Sequence, residues 1–304
     1  MSAELDPIDD RLAALRLTVE GRLAALLPAG GPPLLAEAVG YALLAPGKRS
    51  RPLVTLLCAE RFGGDARPAL DAACAFEMVH AASLVFDDLP CMDDAALRRG
   101  RETVHRRFGQ DAAVLTGVTL LSEAFGVLAR DAGLSAETAR RLGANLSAAV
   151  GLSGLAAGQM RDLRDRSRAD PDELARLNHE KTGVLFCAAA EAGARVGGAS
   201  EGEVAAVCAF ARHLGAAFQI RDDLLDRTTP ALAGKDVGKD AGKPTFVSLL
   251  GVDGARRRLR TEQAAAAEAL AALGEPGALG AFAERLLGAD WSPPSEPALA
   301  RVAG

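Results

Sequence analysis

Phe86-Asp87-Asp88-Leu89-Pro90-Cys91-Met92-Asp93-Asp94 is the stretch on which the reading of this chain turns. Upstream of it, Ala72 to Phe86 is apolar and rich in small residues, which predicts a buried helix. Pro90 cannot continue a helix and biases Leu89 away from helical angles, so the helix is expected to end near Asp88. Two carboxylates then stand at a helix C-terminus, the negative end of the macrodipole, and two more follow the proline. Acids crowded there repel and raise one another's pKa, a cost that a hard divalent cation would offset. A solvated acidic turn is the competing reading, and the rest of the chain decides between them.

A second stretch repeats the anomaly. Asp222-Asp223-Leu224-Leu225-Asp226 closes a long apolar segment that opens on the capping-box pattern Ser200-Glu201-Gly202-Glu203. Asp222 and Asp226 are four apart and share a helix face. If the two acidic helices run side by side, both sets of carboxylates can project into one cavity, as in metal-binding bundles. Cations are misplaced in the opposite sense. Lys48, Arg49 and Arg51 precede a helix expected over Leu53 to Phe62, at the positive end of its dipole, where a bound anion such as phosphate would account for them. Arg98, Arg99, Lys181, Lys235, Lys239 and Lys243 add to this supply. Acids for Mg²⁺, cations for phosphate oxygens and an apolar helical interior point to a diphosphate on a hydrocarbon substrate.

The remaining segments read as helices, and the chain as one all-α domain over residues 1–304. Leucines and alanines at helical spacing predict helices over Ile8 to Leu27 and Leu34 to Leu44. Asp111 is placed to cap a helix running through Arg130, and Ala136 to Val150 is another. Asp170-Pro171-Asp172-Glu173 carries a cap, a proline at the first helical position and an acid at the third. Thr245 to Leu287 reads as two or three alanine-rich helices, with Arg256, Arg257, Arg258 and Arg260 on a solvated face. Residues 290–304, with three prolines, read as a loosely held tail. No strand alternation of any length is visible.

Composition excludes other classes. The net charge of −5 argues against nucleic acid as a partner, because phosphate neutralisation takes a basic face. The five cysteines are an odd number with no CxxC pair, as expected of reduced thiols in a cytoplasmic protein. No signal-peptide pattern opens the chain, and no apolar run reaches membrane-span length without Glu, Arg, Gly or Pro. Residues 238–244 are one residue short of a P-loop and carry proline where the Mg²⁺-binding hydroxyl belongs.

Taken together, GKRSRP (47–52), DDLPCMDD (87–94) with LRRG (97–100), GQMRD (158–162), KTG (181–183), FQIRDDLLD (218–226) and GKDVGKDAGKPT (234–245) resemble, in order, the signatures of the trans-polyprenyl diphosphate synthases. The resemblance implies the isoprenoid-synthase fold, a helical bundle around a deep cavity, as a homodimer. By motif, Asp87, Asp88, Asp93 and Asp222, with Asp223 and Asp226 in support, resemble the ligands of three Mg²⁺ ions. Lys48, Arg51, His80 and Arg99 resemble the residues that hold the diphosphate of isopentenyl diphosphate. Arg98, Lys181 and Lys235 resemble the clamp on the allylic diphosphate, and Thr182 and Gln219 the stabilisers of the allylic cation. The chain departs from the family at Phe86, where histidine is common, at Ala95-Ala96, where acids are common, and at Glu102, where proline is common.

A terpene cyclase would carry Ser or Thr four residues after Asp222 and Glu four further on; Asp226 and Pro230 stand there. A non-catalytic subunit would be expected to lose one acidic cluster, and both are kept. For product length, the fifth position before the first acid commonly holds a bulky aromatic in relatives that stop at C15. Here it is Ala82, beside Ala81 and Ser83, with Met78 and Val79 a turn further up. Geranylgeranyl diphosphate, C20, is therefore the expected product, and farnesyl diphosphate, C15, the alternative.

Overall fold

A computed structural model describes residues 7–164, 170–226 and 244–288. Lys235, Lys239 and Lys243, the side chain of Asp226 and the tail 290–304 lie outside the described residues. The chain begins with α1 (Pro7–Ala25), α2 (Pro33–Leu43), α3 (Ser50–Arg61) and α4 (Ala66–Asp87). A hairpin, β1 (Leu97–Arg98) with β2 (Arg101–Glu102), leads to α5 (Val104–Phe108), α6 (Gln110–Arg130), α7 (Ala136–Val150) and α8 (Leu155–Arg164). Then come α9 (Pro171–Asn178), a π-helical turn (His179–Gly183), α10 (Val184–Val196), α11 (Glu201–Asp226), α12 (Phe246–Ala271) and α13 (Gly277–Leu287). The hairpin pairs Leu97 with Glu102 and Arg98 with Arg101, and two-residue strands are too short to leave an alternating pattern in the sequence.

Local chemistry explains most boundaries. α4 starts well before Ala72 because Asp65 caps it, accepting from the Arg67 N–H, and Pro68 is tolerated in a first turn. α6 corrects an expectation: Gly109, at φ 97°, takes the cap position, and Asp111 sits inside the first turn, where its charge complements the dipole. Asp170 accepts from the Asp172 N–H ahead of Pro171. Ser200 and Glu203 exchange hydrogen bonds as a capping box. Thr245 and Ser248 do the same at α12, which kinks at Gly251.

Alanine and cysteine let α4 sit in the middle of the bundle. Ala69, Ala72, Ala73, Cys74 and Ala75 are buried, and α4 packs against α3, α6 and α10. α10 packs in turn against α3, α7 and α11, and α11 against α12. α4 and α6 are both long and apolar enough to cross a membrane by length and composition, which the sequence did not lead us to expect. In α4, 72% of the apolar window is buried inside the bundle, against 44% in α6. α4 is a core helix, whereas α6 leaves one apolar face uncovered.

Candidate active site

At the end of α4 the acidic stretch folds back on its own helix. The Asp93 N–H donates to the Asp87 carbonyl at 2.9 Å, those of Met92 and Asp94 to the Leu89 carbonyl at 2.9 and 3.0 Å, and that of Ala95 to the Asp88 carbonyl at 3.2 Å. These bonds satisfy carbonyls that a helix end leaves without partners. The fold-back brings acids together. Burial, with Asp93 and Asp88 adding to it, pushes Asp87 up to about 6, although Lys181 and Arg98 pull the other way. Asp88 is differently placed: it is 3% exposed and takes the Arg98 Nε at 2.8 and 2.9 Å on its two oxygens, with Nη2 at 2.7 Å. The expected metal ligand Asp88 and the expected phosphate clamp Arg98 are thus engaged with each other, and either role in a loaded site must share that pair.

The second acidic end is divided too. Asp223 accepts from the Gln219 side chain at 3.4 Å and from the Phe246 N–H at 2.9 Å, which ties the start of α12 to α11. Asp222, one residue earlier, is half-buried. α4 and α11 do not run side by side as a packed pair; α10 packs against both. Among the described residues no three His, Cys, Asp or Glu side chains are already gathered as a metal site. The donor set nevertheless suits a hard cation, because Asp87 and Asp93 are oxygen donors, and a positive charge would favour the carboxylate that burial, with Asp93 adding to it, disfavours at Asp87.

The element ahead of α10 is the π-turn His179–Gly183, and it holds Lys181 and Thr182. π-turns are uncommon and gather at functional sites. α8 packs directly on it, and Gly158 is what allows this: a Cβ there would lie 2.5 Å from the Lys181 nitrogen. From the same helix Asp162 receives the Lys181 Nζ at 2.6 Å. The sequence singles out GQMRD as a motif but gives no sign that Asp162 and Gln159 face the turn that carries Lys181. Both amide atoms of Gln159 are buried without a hydrogen-bond partner, beside the turn that carries Lys181.

The cations converge elsewhere, on a cavity of about 480 Å³ lined by Lys48, Arg51, His80, Arg99, Thr182 and Phe218, among others. α3, α4, the β1–β2 turn, the π-turn and α11 each contribute. The Lys48 ammonium lies 5.3 Å from the Phe218 ring centre, and Arg99, at φ 53°, donates to the Pro46 carbonyl. Burial, and then Arg51 and Arg99, press His80 well below its ordinary value, so it is neutral. Burial also lowers Arg51, whose Nε is buried without a partner, and an anion is what such a group lacks. Arg49 departs from the expected cluster. At φ 51° its guanidinium turns inward, 2.8 Å from Glu77 and 2.8 Å from the Ala45 carbonyl. It is a core ion pair between α3 and α4.

The chain resembles known proteins over most of its length. The family model described as Polyprenyl synthetase matches residues 32–272. The chain is 42% identical over 290 residues to the geranylgeranyl diphosphate synthase of Pseudescherichia vulneris, covering 93% of this chain and 94% of that one. It is 43% identical over 272 residues to that of Pantoea ananas, covering 88% and 89%. Among solved structures, an FPP/GFPP synthase from Zymomonas mobilis superposes with a TM-score of 0.79 at 34% identity, covering 92% of this chain and 96% of the other.

Proposed function

The chain belongs to the polyprenyl synthetase family and is a short-chain prenyltransferase, and we propose that it extends allylic diphosphates with isopentenyl diphosphate to give mainly geranylgeranyl diphosphate, C20. The observation that carries the product length is Ala82. It is fully buried in α4, on the stretch that leads to Asp87, and its neighbour Ala81 is small as well. Phe86, the large residue nearest the acids, is accommodated by Gly117 of α6, where a Cβ would fall 2.3 Å from the ring. A tail running up α4 therefore meets small side chains one turn from the reacting end, with Met78 and Val79 available to stop it a turn later.

In this reading Lys48, Arg51 and Arg99 bind the diphosphate of isopentenyl diphosphate, and neutral His80 supplies a hydrogen bond rather than charge. Lys181, oriented by Asp162, steers the allylic diphosphate, with Arg98 and Lys235 assigned to it by motif. Asp87, Asp93 and Asp222, with Asp88, Asp223 and Asp226 in support, would hold Mg²⁺, in the number of three ions that the family pattern implies. When bound, that metal supplies neutralisation of the departing diphosphate. Thr182 and Gln219 offer dipoles to the allylic cation while the alkene attacks its C1. The apolar walls keep water from that cation, and the proton leaves to the released diphosphate. The five cysteines are free thiols, which supports the cytoplasm as its compartment. We assign it a homodimer, with α6 at the interface.

Ala82→Tyr tests the product assignment. The tyrosine should shift the product from C20 towards C15 with activity retained, as read by chromatography of the dephosphorylated products. A parent enzyme that releases mainly C15, or a variant with unchanged products, would sink the assignment.

A further inference from the structure

One short hairpin carries Arg98, at the end of β1, and Arg99, in the turn that follows, so its placing decides where two of the diphosphate-binding cations stand. Two paired strands of two residues each have almost no stability of their own. The turn adds to the difficulty. Arg99 and Gly100 are both at positive φ, 53° and 74°, as a two-residue hairpin loop requires, and arginine, unlike glycine, is strained there. Nor does solid packing seat the hairpin. A cavity of about 60 Å³ separates it from α2 and α4, lined by Tyr41, Ala81, Leu84 and Arg98, among others.

One side chain of α2, with no chemistry of its own in the reaction, grips β2 at two consecutive residues. The Tyr41 hydroxyl donates to the Glu102 carbonyl at 2.8 Å, and the Arg101 guanidinium lies 4.0 Å from the centre of the Tyr41 ring. Phe108 meets the same ring edge-on, with 5.3 Å between ring centres, and holds it in place. Arg101 is paired in register with Arg98, so a contact that fixes Arg101 fixes the strand position of Arg98 as well. Two further bonds tie the ends of the hairpin. At the open end the Thr103 hydroxyl donates to the Ala95 carbonyl at 2.7 Å, and at the turn Arg99 donates to the Pro46 carbonyl. The bond at the turn is made by the very guanidinium assigned to the substrate, and Thr103 lies beyond the paired residues. Tyr41 is therefore the contact that holds the paired strands without using a substrate-binding group.

We propose that Tyr41 is a positioning residue for both substrates: by latching β2 to α2 it sets Arg98 where the allylic diphosphate binds and Arg99 where the diphosphate of isopentenyl diphosphate binds. It rests on the reading that the chain handles these two diphosphates. Because one hairpin carries both arginines, loosening the latch weakens both substrates together, whereas loss of a single cation such as Arg51 weakens one.

Tyr41→Phe removes the hydroxyl and keeps the ring, and Tyr41→Ala removes both contacts. Hydrogen exchange read by mass spectrometry is the first measurement, because it needs no substrate. Amides over residues 97–103 should exchange about fivefold faster or more in Tyr41→Ala, with those of α4 as slow as in the parent. Steady-state kinetics is the second. The KM for isopentenyl diphosphate and the KM for the allylic diphosphate should each rise about threefold in Tyr41→Phe and further in Tyr41→Ala, with kcat near that of the parent. In an Arg99→Ala background the isopentenyl diphosphate KM should no longer respond to Tyr41→Phe, while the allylic KM still does, because Arg98 remains. A merely structural role would not single out one substrate in this way. Unchanged exchange in Tyr41→Ala, unchanged KM values in both variants, or a Tyr41→Phe effect on the isopentenyl diphosphate KM that adds in full to that of Arg99→Ala, would overturn the assignment. Faster exchange at the hairpin in a chain whose parent shows no turnover would support the latch and count instead against the prenyltransferase reading.

Discussion

Single residues of like charge have opposite tasks in this molecule, and burial with partnership tells them apart. Arg49 and Arg51 are two positions apart and the Nε of each is buried without a hydrogen-bond partner, yet the Arg49 Nη1 is paired with Glu77 in the core, while no ion pair among the described residues engages Arg51. Removing one side of a buried pair leaves the other charge uncompensated, at about 3–5 kcal/mol. Arg49→Ala should therefore lower the urea midpoint sharply. Arg51→Ala should leave that midpoint nearly unchanged and raise the KM for isopentenyl diphosphate; the reverse split would show the two roles exchanged. Among the acids, Asp87→Ala and Asp222→Ala should each abolish turnover with the helical circular dichroism intact, and near-parental turnover in either would refute the metal assignment. The pKa of Asp87 adds a sign. Its ordinary value is 3.8 and burial raises it to about 6, so the folded chain holds that proton more tightly than the unfolded chain does. The stability linked to that proton is complete below pH 3.8 and is lost as pH rises through about 6. In chelator at pH 7, Asp87→Asn should be more stable than the parent by roughly 1–3 kcal/mol, with the difference closing towards pH 4. An Asn variant no more stable at pH 7 would mean that burial, with Asp93 and Asp88 adding to it, does not hold the Asp87 carboxyl above its ordinary value.

Elements were legible wherever a local signal fixes them, and obscure wherever a distant contact does. The acids at the ends of α4 and α11 stood out because they oppose the helix dipole, and Asp170-Pro171 announced α9 by cap chemistry alone. The inward turn of Arg49 depends on Glu77, twenty-eight residues away, and Asp88's pairing depends on a hairpin too short to have a period. The π-turn had no signal of its own in His179-Glu180-Lys181-Thr182-Gly183, because it is imposed by α8 packing through Gly158 and by the pairing of Lys181 with Asp162. That dependence can be tested. Gly158→Ala would place a methyl against the backbone of Lys181, and overpacking of this kind costs about 1–3 kcal/mol. The expected result is a modest loss of thermal stability together with a larger fall in kcat, because the turn that moves carries Lys181 and Thr182. Parental kcat in Gly158→Ala would mean that the turn's position is not what orients them. Asp162→Asn should lower kcat without the loss of stability, because it weakens the grip on Lys181 and leaves the packing in place.

At the scale of the whole molecule, one helix has too little of the bundle to cover it. α6 is apolar almost throughout, yet Val114, Leu115 and Val118 are 43%, 52% and 53% exposed, and Phe125 is exposed one or two turns beyond on a continuing face. Val114, Leu115, Val118 and Phe125 recur at intervals of three, four and seven, so they form one stripe along the helix. The polar exceptions near it, Thr119 and Glu123, are spoken for: Thr119 donates to the Leu115 carbonyl and Glu123 pairs with Arg130. An exposed apolar stripe of this kind on a helical bundle is the surface of a protein interface, and a two-fold axis lets the same stripe cover itself on a second copy. The proposed homodimer would also bear on the active site, because α6 packs against α4 and holds Phe86 through Gly117. Sedimentation at micromolar concentration should give a dimer for the parent. Leu115→Asp/Val118→Asp should give a monomer with unchanged helical content, because neither side chain is part of the core of its own chain. It should also turn over more slowly, as α6 loses the support that keeps Phe86 seated beside Asp87. A parent that sediments as a single monomeric species, or a double variant that stays dimeric, would move the interface away from α6.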